Sequence, residues 1–131
     1  MDVIYSGMWY CVVDLSTFTQ ATLKKIYEIN QMSNVPNVPD LCPPISISPS
    51  NGKMLCRVGE MIKVACREQY PVNHEEIDYP GCDILVFMEN AEQAVHRNFS
   101  KNTVVMSNGE LDWSRPETWT GMLDRSPCGT G

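Results

Sequence analysis

The stretch from residue 53 to residue 68 does most to fix what this chain can become. Met54, Leu55, Val58, Met61, Ile62 and Ala65 recur there at helical spacing, which predicts one long helix with one apolar side to bury. Ser50 or Asn51 stands where the first free N–H groups of such a helix need a cap. Arg57, Lys63 and Arg67 fall off the apolar stripe and read as its solvated face. A helix of this kind needs a surface to pack on, and the rest of the sequence offers strands. The run Asp83-Ile84-Leu85-Val86-Phe87-Met88 reads as a buried strand, Thr103 to Met106 as another, and Ser107-Asn108-Gly109 as the turn after it. Residues 2 to 14 mix aromatic and β-branched types around Gly7, the pattern of a bent or bulged strand with at least one pairing partner.

Strands ordered around one long helix suit an α/β or α+β unit. At 131 residues, of which 43% are hydrophobic, the chain can build one modest core. Residues 16 to 47 fit this scheme least. A helix is expected over 19 to 32 through Leu23, Ile26, Tyr27 and Asn30, but prolines break the stretch after it and Leu41 to Pro49 continues as loop. With no closed hydrophobic pattern, 16 to 47 reads as an inserted loop or as non-coding sequence read through, and it is expected to be the least ordered internal stretch.

The net charge of −6 disfavours nucleic acid and anionic membrane surfaces as partners. No apolar run reaches the roughly 18 to 20 residues of a membrane span, and the start shows no secretion signal, which favours a soluble, cytoplasmic chain. The six cysteines lie scattered without a C-x-x-C pair, and His74 and His96 are far apart, so free thiols are expected, not disulfides or a zinc site. Cys11, Cys56 and Cys66 sit in apolar patterns and read as small buried hydrophobes. The segment Glu110 to Gly121 carries two tryptophans and a proline, and either a lid or pocket wall or ordinary packing accounts for it.

The last eight residues, Asp124-Arg125-Ser126-Pro127-Cys128-Gly129-Thr130-Gly131, place a thiol beside a tight turn of small residues that would feed a helix start. Free N–H groups and the helix dipole favour negative charge there, so Cys128 should ionise easily and act as a base near neutral pH. Asp124 at this stage is open to a blander reading, as a capping carboxylate or a partner for Arg125.

This string resembles the signature of the proline racemase family, which includes 4-hydroxyproline epimerases and trans-3-hydroxyproline dehydratases. Asp2 to Tyr10 resembles the strand that opens the family's second lobe, and Gly59 to Lys63 through His74 resembles its long helix and following loop. Ser6 stands where a second glycine is usual, and Glu75 where proline is usual. The family's other cysteine lies in a Met-Cys-Gly-His motif that this sequence does not contain. The resemblance therefore implies that residues 1 to 131 are a fragment holding the second lobe of a diaminopimelate epimerase-like fold, a curved sheet wrapped around a long helix, with an insertion at 16 to 47.

The implied chemistry is cofactor-independent 1,1-proton transfer on proline or hydroxyproline by two cysteines, one on each face of the α-carbon. Cys128 would be the acid/base of this lobe, Gly129 and Thr130 would hold the substrate carboxylate, and Asp124 would bond the ring nitrogen. Cysteine at the Cys128 position favours inversion over dehydration. The implied partners are the small-molecule substrate, the missing first lobe and, in the parent protein, a second copy. Alone, the chain would be inactive. The alternatives are a fragment of a trans-3-hydroxyproline dehydratase or a non-catalytic remnant acting as an interaction module.

Overall fold

The computed structural model describes residues 1–31, 38–78, 81–90 and 100–124. It is an α+β unit in which a five-stranded sheet packs against two helices. In chain order the elements are β1 (Asp2–Tyr5), β2 (Trp9–Asp14), α1 (Gln20–Asn30), α2 (Gly52–Gln69), β3 (Ile84–Asn90), β4 (Ser100–Ser107) and β5 (Gly121–Leu123). The strands lie in sequence order. Only β2 and β3 run parallel, Cys11 beside Leu85, and that is the one connection long enough to need a crossover, here made by both helices.

Gly7 does not bulge a single strand, as the sequence suggested, but turns it. At φ 75° it occupies the left-handed region that side chains avoid, and Ser6 N–H donates to the Met8 carbonyl at 2.9 Å to close a hairpin between β1 and β2.

The N-terminal half of the stripe on α2 behaves as expected, with Met54, Leu55 and Val58 buried against Cys11, Val13, Leu85, Phe87 and Val105 of the sheet, whereas Met61, Ile62 and Ala65 are half-buried and Cys66 is the buried residue of the last turns. The helix cap departs from expectation. Neither Ser50 nor Asn51 bonds a free N–H of the helix. A 3-10 turn over Pro49–Asn51 leads in, and Asn51 Nδ2 donates instead to the Ser46 carbonyl at 2.9 Å.

The supposed solvated face of α2 needs the larger correction. Arg67 is exposed and paired with Asp83, but Arg57 is half-buried and Lys63 is fully buried. Lys63 Nζ lies 2.8 Å from Glu60 Oε2 one turn earlier and donates to Ser107 Oγ at 2.5 Å, and Ser107 Oγ donates to Glu60 Oε1 at 2.7 Å. The Lys63–Glu60 approach is a charge contact off the direction of a hydrogen bond, which leaves Oε2 without a donor. Each charge is tolerable in the interior only because the other is there.

Residues 16 to 47 also depart from expectation. Helix α1 forms where predicted, capped by Thr19 Oγ1, which accepts from Thr22 N–H at 3.2 Å. The described residues of the stretch, 16–31 and 38–47, contribute to packing: Leu23, Ile26, Cys42 and Ile45 belong to the main core. Side chains pin the loop after it. Gln20 holds both backbone groups of Cys42, at 3.1 and 3.0 Å, and Glu89 Oε2 accepts from Ile47 N–H at 2.7 Å. Core membership came from two short apolar contributions on either side of a proline-rich stretch, which no single periodic window contains. No described helix is long and apolar enough to cross a membrane.

Candidate functional site

Three elements end at one place. The first turns of α2, the end of α1 and strand β5 border an open cavity of about 1030 Å³. Its wall includes Asn30 from α1, Lys53, Cys56 and Arg57 from α2, Thr103 from β4, and Thr120 to Asp124 from the β5 segment. Of the residues picked out from sequence, Asp124 is the one that the described structure positions, and it lies in this wall. Its N–H donates to the Val104 carbonyl at 3.0 Å, so the β4–β5 ladder runs one residue past the strand and fixes the Asp124 backbone. Cys128, Gly129 and Thr130 lie outside the described residues.

Strand β5 reaches this position because residue 121 is glycine. A Cβ there would stand 2.6 Å from the Met106 carbonyl oxygen and 3.2 Å from Glu60 Oε2, so any side chain would push β5 off its neighbour. The buried Glu60–Lys63–Ser107 group thus borders the strand that carries Asp124.

Arg57 organises the rim. Its Nε donates to the Trp119 carbonyl at 3.2 Å and its Nη1 to the Ile29 carbonyl at 3.1 Å, which ties the tryptophan segment and the last turn of α1 to α2. The two tryptophan rings touch each other, centroids 6.3 Å apart, and Trp113 stays exposed. Trp113 Nε1 donates to Glu68, at 3.0 Å to Oε2, Trp119 Nε1 donates to the Asp112 carbonyl at 2.9 Å, and neither ring lines the cavity.

Electrostatically the cavity mixes two cations with one carboxylate. Among the described residues neither Lys53 nor Arg57 forms an ion pair, although the chain as a whole is acidic. Cys56 is half-buried in the wall, not in the core as its apolar neighbours suggested, and burial raises its pKa, with a Leu123 backbone bond acting the other way. It is therefore a neutral thiol near pH 7.

Sequence reasoning missed Arg57, Lys53, Cys56 and Asn30, because nothing local marks a helix-face residue as cavity lining until a second element closes over it. No described group of histidine, cysteine and carboxylate side chains is arranged to hold a metal ion. Comparison with protein-family models, with curated proteins and with solved structures found no match for this chain.

Proposed function

We propose that this chain is the second lobe of a cofactor-independent isomerase of the proline racemase type, acting on proline or hydroxyproline by proton transfer at the α-carbon. The reading is carried by the string Asp124 to Gly131, and the cavity wall that contains Asp124 supports it. A zwitterionic cyclic amino acid presents a carboxylate and a ring ammonium. Asp124 would accept from that ammonium, and Gly129 and Thr130 N–H groups would take the carboxylate as negative charge develops on it. Cys128 would remove or return the α-proton on one face. Inversion needs a second thiol on the opposite face, which a companion lobe with the Met-Cys-Gly-His motif would supply. The substrate is a free amino acid in water, and we assign the protein to the cytoplasm.

Two measurements test the reading. In an NMR titration of the chain with L-proline and 4-hydroxyproline, amide shifts should centre on Thr120 to Asp124. Asp124→Asn should weaken binding about ten- to a hundredfold, the cost of one charged hydrogen bond. Mixed with a companion lobe, the chain should exchange and invert the α-hydrogen in D₂O, and Cys128→Ser should abolish this. Shifts elsewhere on the surface with no effect of Asp124→Asn would refute the substrate assignment. Water loss from 3-hydroxyproline without inversion would move the chain to the dehydratase reading.

A further inference from the structure

Both helices pack on one face of the sheet, and the opposite face carries a groove of about 290 Å³. Strand register builds the groove in three rows. Ile4 pairs with Tyr10, then Val12 lies beside Val86 and Val86 opposite Val104, and Met88 follows two residues further along β3. Ile4 is 49% exposed, and Tyr10, Val12, Val86 and Met88 are half-buried. Apart from the Tyr10 hydroxyl, the polar groups of the lining belong to Ser6, at the hairpin end, and Asn102, opposite Met88.

Charges at the strand positions of this face have one sign. Asp2 pairs with Val12 and Asp14 with Met88, so alternation along the strands puts both carboxylates on the groove side. Asp2 stands at the outer edge of the sheet and Asp14 at the far end of the groove, where its Oδ1 also accepts from Ser16 N–H at 2.9 Å. Lys101 is the only basic residue in the five strands, and alternation puts it on the other side, 4.0 Å from Glu89.

We infer that this face docks a basic amphipathic helix of a partner protein, with the apolar stripe of that helix in the groove and its Lys or Arg residues over Asp2 and Asp14. The inference is independent of the proposed isomerase chemistry. Backbone chemistry selects a helix, which bonds its own N–H and C=O groups. An extended peptide laid on a sheet face would press those groups unpaired against valine and methionine. Length agrees: from Tyr10 to Asp14 β2 rises about 13 Å, which apolar anchors at i, i+3 or i+4 and i+7 of a helix cover in two to three turns. Charge selects a basic partner. A second copy of this chain, set face to face, would bring two sets of Asp2 and Asp14 into one interface with no strand cation to offset them, and an anionic membrane would meet the same repulsion.

The test titrates the full chain with a synthetic helical peptide of about 18 residues, carrying Leu at i, i+3, i+4 and i+7 and Lys on the other faces. Two controls accompany it, one with Glu in place of Lys and one of the same composition shuffled to destroy the stripe. Amide shifts on adding the basic peptide should centre on Ile4, Tyr10, Val12, Val86, Met88 and Val104, and both controls should bind at least tenfold more weakly. Ile4→Lys, at an exposed position, should weaken binding at least tenfold. Asp2→Asn should weaken it about two- to fivefold and flatten its salt dependence, as a rim charge does. Circular dichroism checks folding, and if Ile4→Lys does not fold, Asp2→Asn and the Glu peptide decide. The inference fails if either control binds as tightly as the basic peptide, or if the shifts fall on the helix side of the sheet. It fails if the chain self-associates and Ile4→Lys returns it to a monomer. It also fails if the basic peptide does not bind, in which case Overhauser contacts from Val86 and Met88 to residues 91–99 or 125–131 would identify this chain itself as the occupant.

Discussion

The two faces of the sheet carry nearly the same chemistry and meet different fates. One presents Cys11, Val13, Leu85, Phe87, Val105 and Leu123, and α2 covers it with its apolar stripe. The other presents Ile4, Tyr10, Val12, Val86, Met88, Met106 and Met122, with Ile84 and Val104 alone fully buried. A groove of about 290 Å³ crosses that second face, lined by Ile4, Tyr10, Val12, Val86, Met88 and Val104. An unbroken apolar strand such as Ile84 to Met88 is the pattern of burial on both sides. Within the described residues only one side is covered. The difference teaches that strand patterning states how much apolar surface exists, and that the helix stripe states which part of it this chain covers itself.

The covered face is also where the charges are, and the strongest way to break the comparison is there. Lys63→Met should destabilise the fold by about 3–5 kcal/mol, because it leaves the Glu60 carboxylate buried without its counter-charge. Adding Glu60→Leu should recover most of that loss, since the pair is then replaced by packing. Urea unfolding of both single variants and the double variant measures the coupling. A loss under about 1 kcal/mol in Lys63→Met would mean that water reaches the pair and that the covered face is not dry.

The next contrast places neighbours on opposite faces of β3. Phe87 is fully buried under α2 and Met88 is half-buried on the open side. Phe87→Ala should cost about 3–5 kcal/mol, as expected for an aromatic ring removed from a filled core. Met88→Ala should cost roughly 1 kcal/mol, the loss of a side chain that is only partly out of water. Comparable costs by chemical denaturation would show that the second face is covered in solution.

How far these features can be read from sequence depends on whether their signal is local. Helix α2, helix α1 and the strands β3 and β4 all announce themselves by periodicity or by a continuous apolar run, and all four form. The hairpin at Gly7 was legible as a glycine in a strand, but turn and bulge share that signature, and the pairing of Asp2 with Val12 decides between them. Lys63 was illegible for a different reason. Its place on the helix face is the same whether solvent or Ser107 lies opposite, and Ser107 is 44 residues away. The same holds for the cavity: Asp124 stands out within a local string, whereas Arg57 acquires its role from carbonyls of Ile29 and Trp119 that only the fold brings together.

The smallest expected effect tests the open face directly. Met106 and Met122 face each other across β4 and β5 on that side, at 37 and 49% exposure. Replacing both with Gln keeps their length and unbranched shape while adding polar groups that water can satisfy. If the face is open, the double variant should match the parent within about 0.5 kcal/mol in urea, the usual range for surface substitutions. It should also bind less of a fluorescent hydrophobic dye, because contiguous apolar surface is what such dyes take up. A loss of about 2 kcal/mol or more would mean that the two side chains are buried in solution, each having lost the transfer energy of a covered methionine. The two faces would then differ only in what covers them: α2 on one side, and on the other a part of this chain outside the described residues or another molecule.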